Sequence, residues 1–305
     1  MVDLPNDSID THIAVCVCSF RRPALLTRLL EKLKQQRTNG LFTFSIVVCD
    51  NDVEQSAASV VSAIRESGAI DITYCWEPRK NIALARNKAF EHARGDFVAF
   101  IDDDEFPTVN WLQKLLAACE QYRADGVLGP VRPHFESPPP SWIIKGRFCD
   151  RPEHETGRVM NWDECRTGNV LFRRQIVDSL REPFKPEFGT GGEDKDFFMR
   201  FTERGRVFVW CNEALVYETV PPSRCTRGYM LKRALLRGRN ILKHPVGRLG
   251  LLARSAVAVP IYSLALPAVL LLGQHWFMRY CIKLCDHLGR LLAIIGVNPV
   301  AERQL

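Results

Sequence analysis

Four consecutive carboxylates, Asp102-Asp103-Asp104-Glu105, follow directly on the apolar run Phe97-Val98-Ala99-Phe100-Ile101. An uninterrupted apolar stretch of that length reads as a fully buried strand of a parallel sheet. Acids at its carboxyl end stand where open α/β sheets bind ligands. Charge so concentrated is costly unless a cation relieves it, and spaced carboxylates are hard oxygen donors suited to Mn²⁺ or Mg²⁺. A solvated acidic turn is the plainer alternative. A second acidic group, Glu193-Asp194, follows Gly189-Thr190-Gly191-Gly192 and opens an apparent helix. A helix N-terminus favours the ionised carboxylate, the form a general base needs, although acids are common at helix starts without any chemistry. Asp50 closes an apolar run and is either a ligand contact or the cap of an Asp-Asn turn. Arg86, one turn inside a helical stretch, is either an anion contact or a surface arginine.

The elements that must position these groups alternate. Ile13 to Cys18 reads as a strand, followed by Ser19-Phe20-Arg21-Arg22-Pro23. Leu25, Leu26, Leu29, Leu30 and Leu33 recur at helical spacing, with Pro23 suited to the first turn. Phe44 to Cys49 is a second strand, about 55–66 a helix, Ile72 to Trp76 a third strand, and Asn81 to Ala93 a helix closed by Gly95. Three strand–helix alternations before the acids predict parallel βαβ units and an α/β fold. Beyond them, 111–122 is expected to be helical, and 126–131, 169–172, 207–210 and 214–217 to be strands. Residues 132–148, with three consecutive prolines and Trp142, read as a loop over a site.

Composition narrows the class. The chain has 305 residues, 46% hydrophobic and 25% charged, ordinary for a globular protein. Its net charge of +6 is split: residues 221–305 hold 13 Lys/Arg against Asp286 and Glu302 (+11), and residues 1–220 hold 28 against 33 (−5). Cys16, Cys18, Cys49 and Cys75 sit in strand-like runs as small hydrophobes, and no Cys-x-x-Cys or zinc spacing occurs. The opening Met1 to Asp7 is polar and acidic, which predicts no secretory signal and a reducing, cytoplasmic setting for the main body. The absence of Gly-x-Gly-x-x-Gly after the first strand argues against a dinucleotide dehydrogenase.

In order, the segments Cys16-Val17-Cys18-Ser19-Phe20-Arg21-Arg22-Pro23, Val48-Cys49-Asp50-Asn51-Asp52, Asn81-Ile82-Ala83-Leu84-Ala85-Arg86-Asn87, Phe100-Ile101-Asp102-Asp103-Asp104-Glu105 and Gly191-Gly192-Glu193-Asp194-Lys195-Asp196-Phe197-Phe198 resemble the family 2 glycosyltransferases with a GT-A fold. More closely, the chain is similar to bacterial exopolysaccharide enzymes of the succinoglycan glucosyltransferase type, over about residues 12–222. The resemblance implies inverting transfer of one sugar from a nucleotide-diphosphate sugar, with UDP-glucose as the first candidate, to a lipid-linked saccharide. It implies a divalent metal on Asp102 and Asp104, with the nucleotide-sugar contacted by Phe20, Arg21, Asp50, Arg86, Asp102 and Asp103. It makes Asp194 the base, Glu193 its alternative or an acceptor-orienting neighbour, and Gly168, Asn169 and Trp142 the acceptor side. Two departures stand out. Tyr217-Glu218 occupies the place where relatives carry a histidine, which leaves the third metal ligand open. The Gln-x-x-Arg-Trp motif of processive synthases is missing, Arg237-Gly238-Arg239-Asn240 being all that stands near, so single addition is expected.

The expected organisation is a catalytic domain over 10–220 (nucleotide-sugar half 10–110, acceptor half 111–220) and a basic, apolar helical segment over 221–305. Ser255 to Met278 is uncharged and long enough to span a bilayer, with Pro260 and Pro267 tolerable there. The flanking basic residues suit an anionic leaflet. The expectation is attachment to the cytoplasmic face of the inner membrane, spanning or lying in its surface, the alternative being a buried helical subdomain. The basic run lacks interleaved aromatics, so no nucleic-acid partner is expected. Rival functions are a nucleotidyltransferase, for which the Ser19–Pro23 loop lacks the glycine- and lysine-bearing phosphate turn, and a non-enzymatic sugar-nucleotide-binding or membrane scaffold protein.

Overall fold

A computed structural model describes residues 11–68, 70–178, 180, 182–189, 191–241, 248–297 and 300. The polar opening, Thr190 of the glycine stretch and residues 242–247 and 301–305 of the tail lie outside the described residues. The elements, in order, are β1 (His12–Ser19), α1 (Pro23–Leu33), β2 (Thr43–Asp50), α2 (Ala58–Glu66), β3 (Ile72–Trp76), α3 (Ile82–His92), β4 (Phe97–Ile101), β5 (Glu105–Pro107), α4 (Trp111–Gln121), β6 (Gly126–Leu128), β7 (Val131–Phe135), α5 (Ser141–Gly146), β8 (Asn169–Arg173), α6 (Glu193–Glu203), β9 (Phe208–Trp210), β10 (Val216–Val220), α7 (Arg227–Asn240), α8 (Arg248–Leu271) and α9 (Gln274–Ile294).

Residues 11–132 and 151–218 make one compact unit. Its seven-stranded sheet has the order β3-β2-β1-β4-β8-β6-β9. The β1–β2, β1–β4, β2–β3 and β6–β9 pairs are parallel, whereas β8 runs antiparallel to both β4 and β6. Period-two alternation in β1 splits the core: Ile13, Val15 and Val17 face α1, α2 and α4, and Ala14 and Cys16 face α3 and α6. Leu26, Leu29, Leu30 and Leu33 of α1 are fully buried on the first face, each contributing roughly 1.5–3 kcal/mol. The second face is built from small residues under α3 (Ala83, Ala85, Ala89, Cys49 and Cys75) and from the Phe184, Phe197, Phe198 and Phe201 cluster. All eleven cysteines are free thiols, those in strands packed as small hydrophobes. Strand order reverses at β1–β4, which places the carboxyl ends of those two strands at the crevice where α/β sheets bind ligands.

The structure departs from expectation in three places. The acids do not end the regular structure: Glu105 begins β5, which pairs antiparallel with β10 as Glu105↔Glu218, Phe106↔Tyr217 and Pro107↔Val216. The last strand therefore reaches Val220 rather than Tyr217. The stretch read as a loop over the site contains β7 and the short helix α5, and residues 133–150 pack with the C-terminal elements instead of the catalytic body.

Residues 133–150 and 219–300 form the second unit. Trp142, Ile143, Val220, Cys225, Met230 and Met278 make its core, and the Trp142 and Phe148 rings lie 5.4 Å apart. Gly238 of α7 and Gly289 of α9 each lie against the other helix's backbone, at Asp286 and Leu235, where a Cβ would not fit. Arg237 reinforces that seam with a bidentate pair to Asp286 (2.9 and 2.6 Å). Helix α8 lies against α9 and leaves its apolar surface open. Leu249–Leu271 is long and apolar enough to cross a membrane, and only 6% of its most apolar window is buried.

Candidate active site

Each acid of the 102–105 run meets a guanidinium. Ser19 ends β1 and donates its hydroxyl to Asp103 (3.0 Å), joined by the Phe20 N–H (3.3 Å). Arg21 follows in the left-handed region (φ 55°), a backbone conformation that is uncommon outside glycine. Arg22, at the start of α1, makes no cap with its side chain and donates instead to Asp103 (2.9 Å) and Asp104 (3.0 Å). Burial pushes the Asp103 carboxyl up to about 6, against the pull of Arg22. Arg21 itself turns to Asp52 (3.0 Å), and Arg21 and Lys80 both approach the Phe20 ring.

Asp102 is the exposed member of the run. Its side chain is 43% accessible and lies 3.4 Å from Arg86. Arg86 projects from α3, which is buried on most sides, and it also pairs with Glu193 at the first turn of α6. Burial raises the Glu193 carboxyl above the ordinary range, and Arg86 opposes that shift. Asp194 is less enclosed: it accepts from the Lys195 N–H (2.8 Å), and Arg166 stands 3.9 Å away. Gly191 (φ 126°) and Gly192 (φ 102°) turn the chain into α6 through conformations that favour glycine.

Glu105 is fully enclosed. One carboxylate oxygen accepts from the Asp102 N–H (3.2 Å), while Oε1 has no hydrogen-bond partner among the described residues. Arg151 lies 3.7 Å from Oε1 and 2.5 Å from Glu218, between two acids that sit directly opposite on β5 and β10. Like charges opposed in this way repel, and Arg151 is the cation that relieves them. Burial and then the Asp102 charge push Glu105 well above the ordinary carboxylate range. Gly168 forms a wall beside these acids: a Cβ there would lie 2.8 Å from Glu105 Oε1 and 3.1 Å from Asp102 Oδ2.

These contacts test the metal expectation. Asp104 is only 7% exposed and is tied to Arg22. Asp102 Oδ2 and Glu105 Oε1, the latter without a hydrogen bond among the described residues, share the space beside Gly168. Among the described residues no group of three His, Cys, Asp or Glu converges. Asp102 and Glu105 thus offer hard oxygen donors suited to a divalent cation, and Asp104 stands beside them paired with Arg22.

Three further expectations change. Asp50 accepts from the Asp52 N–H (3.0 Å), the Ala57 N–H (2.7 Å) and the Tyr74 hydroxyl (3.3 Å), which is the turn-capping alternative. Asn169 does not line an open face: its amide donates to Pro130 and Ala214 carbonyls and accepts from the Trp111 indole (2.8 Å), all buried. Trp142 belongs to the second unit's core. Sequence reading passed over Arg22, Glu105 and Arg151. Arg22 and Glu105 stood inside quoted motifs, whereas Arg151 carried no local signal. It also missed Asn81, which caps α3 and bonds the Pro186 carbonyl (2.9 Å), and Asn87, which pairs both ways with the Phe184 backbone.

Comparison with known proteins agrees with this geometry. The model for glycosyl transferase family 2 matches residues 14–181. The chain is 37% identical to the succinoglycan biosynthesis protein ExoM of Rhizobium meliloti, over 77% of this chain and 75% of that one. It is 23% identical to the UDP-Glc:alpha-D-GlcNAc-diphosphoundecaprenol beta-1,3-glucosyltransferase WfaP of Escherichia coli, over 46% of this chain and 53% of that one. Among solved structures, S. aureus TarS 1-349 in complex with UDP superposes with a TM-score of 0.53 and 17% identity, covering 95% of this chain and 93% of that one. That likeness gives the fold, GT-A. With arginine-held acids at the carboxyl ends of β1 and β4, and a family match spanning more than half its length, the chain belongs to glycosyltransferase family 2.

Proposed function

We propose that this glycosyltransferase moves a single hexose from a nucleotide-diphosphate sugar, UDP-glucose being the first candidate, to a lipid-linked saccharide in surface polysaccharide synthesis. Transfer inverts the anomeric centre and takes place at the cytoplasmic membrane face. The observation that carries the reading is Arg86, which joins the exposed Asp102 of the donor half to the first turn of α6, where Asp194 stands. The names of its relatives support donor and acceptor class: WfaP is a UDP-Glc transferase acting on a diphosphoundecaprenol acceptor, and TarS has been solved with UDP-GlcNAc.

In this reading Arg86 and Arg22 give positive charge to the diphosphate, and each has a carboxylate partner that the phosphates would replace. Asp194 takes the proton from the acceptor hydroxyl as that oxygen attacks the anomeric carbon. Glu193, whose oxygen is committed to Arg86, orients the pair rather than serving as base. Asp102, with Asp104 or Glu105 beside it, would hold Mn²⁺ or Mg²⁺, which when bound supplies Lewis-acid charge to the leaving diphosphate. Phe20 and Arg21 stand at the end of β1 on the nucleotide side.

The test uses washed membranes containing the protein, Mn²⁺ and a panel of labelled UDP-sugars, with Asp194→Asn beside the wild type. Label is expected in the lipid extract for the wild type only, with UDP binding retained by both. Absence of transfer and of UDP binding in the wild type would overturn the reading. Undiminished transfer by Asp194→Asn would remove the base assignment alone.

A further inference from the structure

One cavity outside the catalytic unit combines an apolar trough with a cationic end. It has a volume of about 690 Å³ and lies along α8, lined by Ala253, Arg254, Ala258, Ile261, Tyr262 and Ala265, with Tyr280 of α9 as its far wall. Those α8 positions recur every three to four residues and share one helix face. The alanines leave the trough, and from Arg254 to Ala265 it runs about 16 Å at the helical rise. Tyr262 and Tyr280 meet edge to face at 5.3 Å.

Charge marks one end. No acid occurs between Thr219 and Cys285, and among the described residues Arg254 has no ion-pair partner. Ser255, next to it, lies 3.0 Å from His287, which Arg290 approaches at 3.3 Å. Arg290 therefore belongs to the same end, and its Nε is buried without a hydrogen-bond partner among the described residues. Lys283 sits 5.9 Å from the Tyr262 ring. The opposite end leads towards the exposed apolar tip formed by Leu270, Leu271, Leu272 and Trp276.

We propose that this trough binds an anionic glycerophospholipid, its phosphate at Arg254 and one acyl chain along Ala258, Ile261 and Ala265. The two tyrosine hydroxyls have no hydrogen-bond partner among the described residues and suit the ester carbonyls beneath a phospholipid headgroup. A prenyl phosphate has no such carbonyls, which favours the glycerolipid. The proposal rests on the membrane attachment proposed above, but its test does not require a bilayer.

The full-length chain is photolabelled in solution with a short-chain, diazirine-bearing phosphatidylglycerol, and labelled peptides are mapped by mass spectrometry. Label is expected within 253–265 and at Tyr280, about tenfold above that from the matching phosphatidylcholine. Arg254→Gln should lower it about fivefold, the factor corresponding to one basic residue at an anionic surface. Ala258→Phe, which fills the trough and leaves the charge intact, should abolish it while the melting temperature and sugar transfer hold. Equal labelling by both lipids, label scattered over Leu264 and Leu271, or full displacement by glycerol 3-phosphate would each overturn the proposal. So would farnesyl phosphate if it competed more strongly than phosphatidylglycerol. Co-sedimentation with phosphatidylcholine–phosphatidylglycerol vesicles, run in parallel, reads attachment separately: sedimentation without trough labelling sinks only the lipid site.

Discussion

The two units of this chain carry charge in opposite ways. In the catalytic unit the acids around the site, most of them buried, are met by arginines: Asp103 and Asp104 by Arg22, Asp102 and Glu193 by Arg86, Glu105 and Glu218 by Arg151. In the helical unit cations are numerous, acids are few, and Asp286 pairs with Arg237 of α7. The first arrangement is balanced internally, so a diphosphate that enters must exchange with carboxylates already in place. The second is left with an excess of positive charge and suits an anionic surface outside. On the function proposed above, the enclosed charge would recognise the donor and the open charge the surface where the acceptor is kept.

The largest break in this comparison is expected at the base. Asp194→Asn should lower kcat by about 10²–10⁴, the range for loss of a general base, with the urea midpoint and UDP affinity unchanged. A fall in UDP affinity instead would move Asp194 into the arginine-balanced network. Next comes Arg86→Met, which strands Asp102 and the buried Glu193. It should cost roughly 3–5 kcal/mol in urea unfolding, and adding Glu193→Gln should recover part of it. A loss below about 1 kcal/mol would show that the network is not held by charge.

Asn169→Ala should cost about 1–3 kcal/mol by leaving the Trp111 indole and two carbonyls unpaired, with the acceptor KM unchanged. A raised KM would return Asn169 to the acceptor face. The smallest effect on folding is expected in the helical unit. Leu264→Asn with Leu271→Asn, at positions 83% and 88% exposed, should shift stability by no more than about 0.5 kcal/mol. The same change should weaken vesicle binding about tenfold or more, because on the proposed membrane attachment those side chains would be buried in lipid. Stability lost together with binding would point to a protein partner for that surface.

Legibility in the sequence followed the range of the interaction. The βαβ series up to Ile101 was readable because strand and helix periodicities are local, and β4 is buried at all five positions. Glu193 and Asp194 were readable through the glycines ahead of them. Arg22 and Asp103 are 81 residues apart, and Arg151 and Glu218 are 67 apart. No local pattern announces such pairs, so the acids were seen and their guanidinium partners were not. Asp104 shows the same limit: spacing alone puts Asp102 and Asp104 on one side of a chain and gives no sign of the pairing with Arg22. The helix α5 was hidden by three prolines, which in fact precede it and leave its first turn free of missing donors.

Asn81 and Asn87 have a bearing on how such enzymes can be recombined. Both sit on or just before α3, in the N-terminal part of the catalytic unit, yet they hold the backbone of Phe184 and Pro186, which leads into α6. Gly189 completes the stitch, because a side chain there would collide with Asn81. A chimera joined near residue 110, with donor half from one relative and acceptor half from another, would cut this seam. Grafts that aim to change acceptor choice would keep their fold best if the segment from Pro183 to Gly192 travelled with α3.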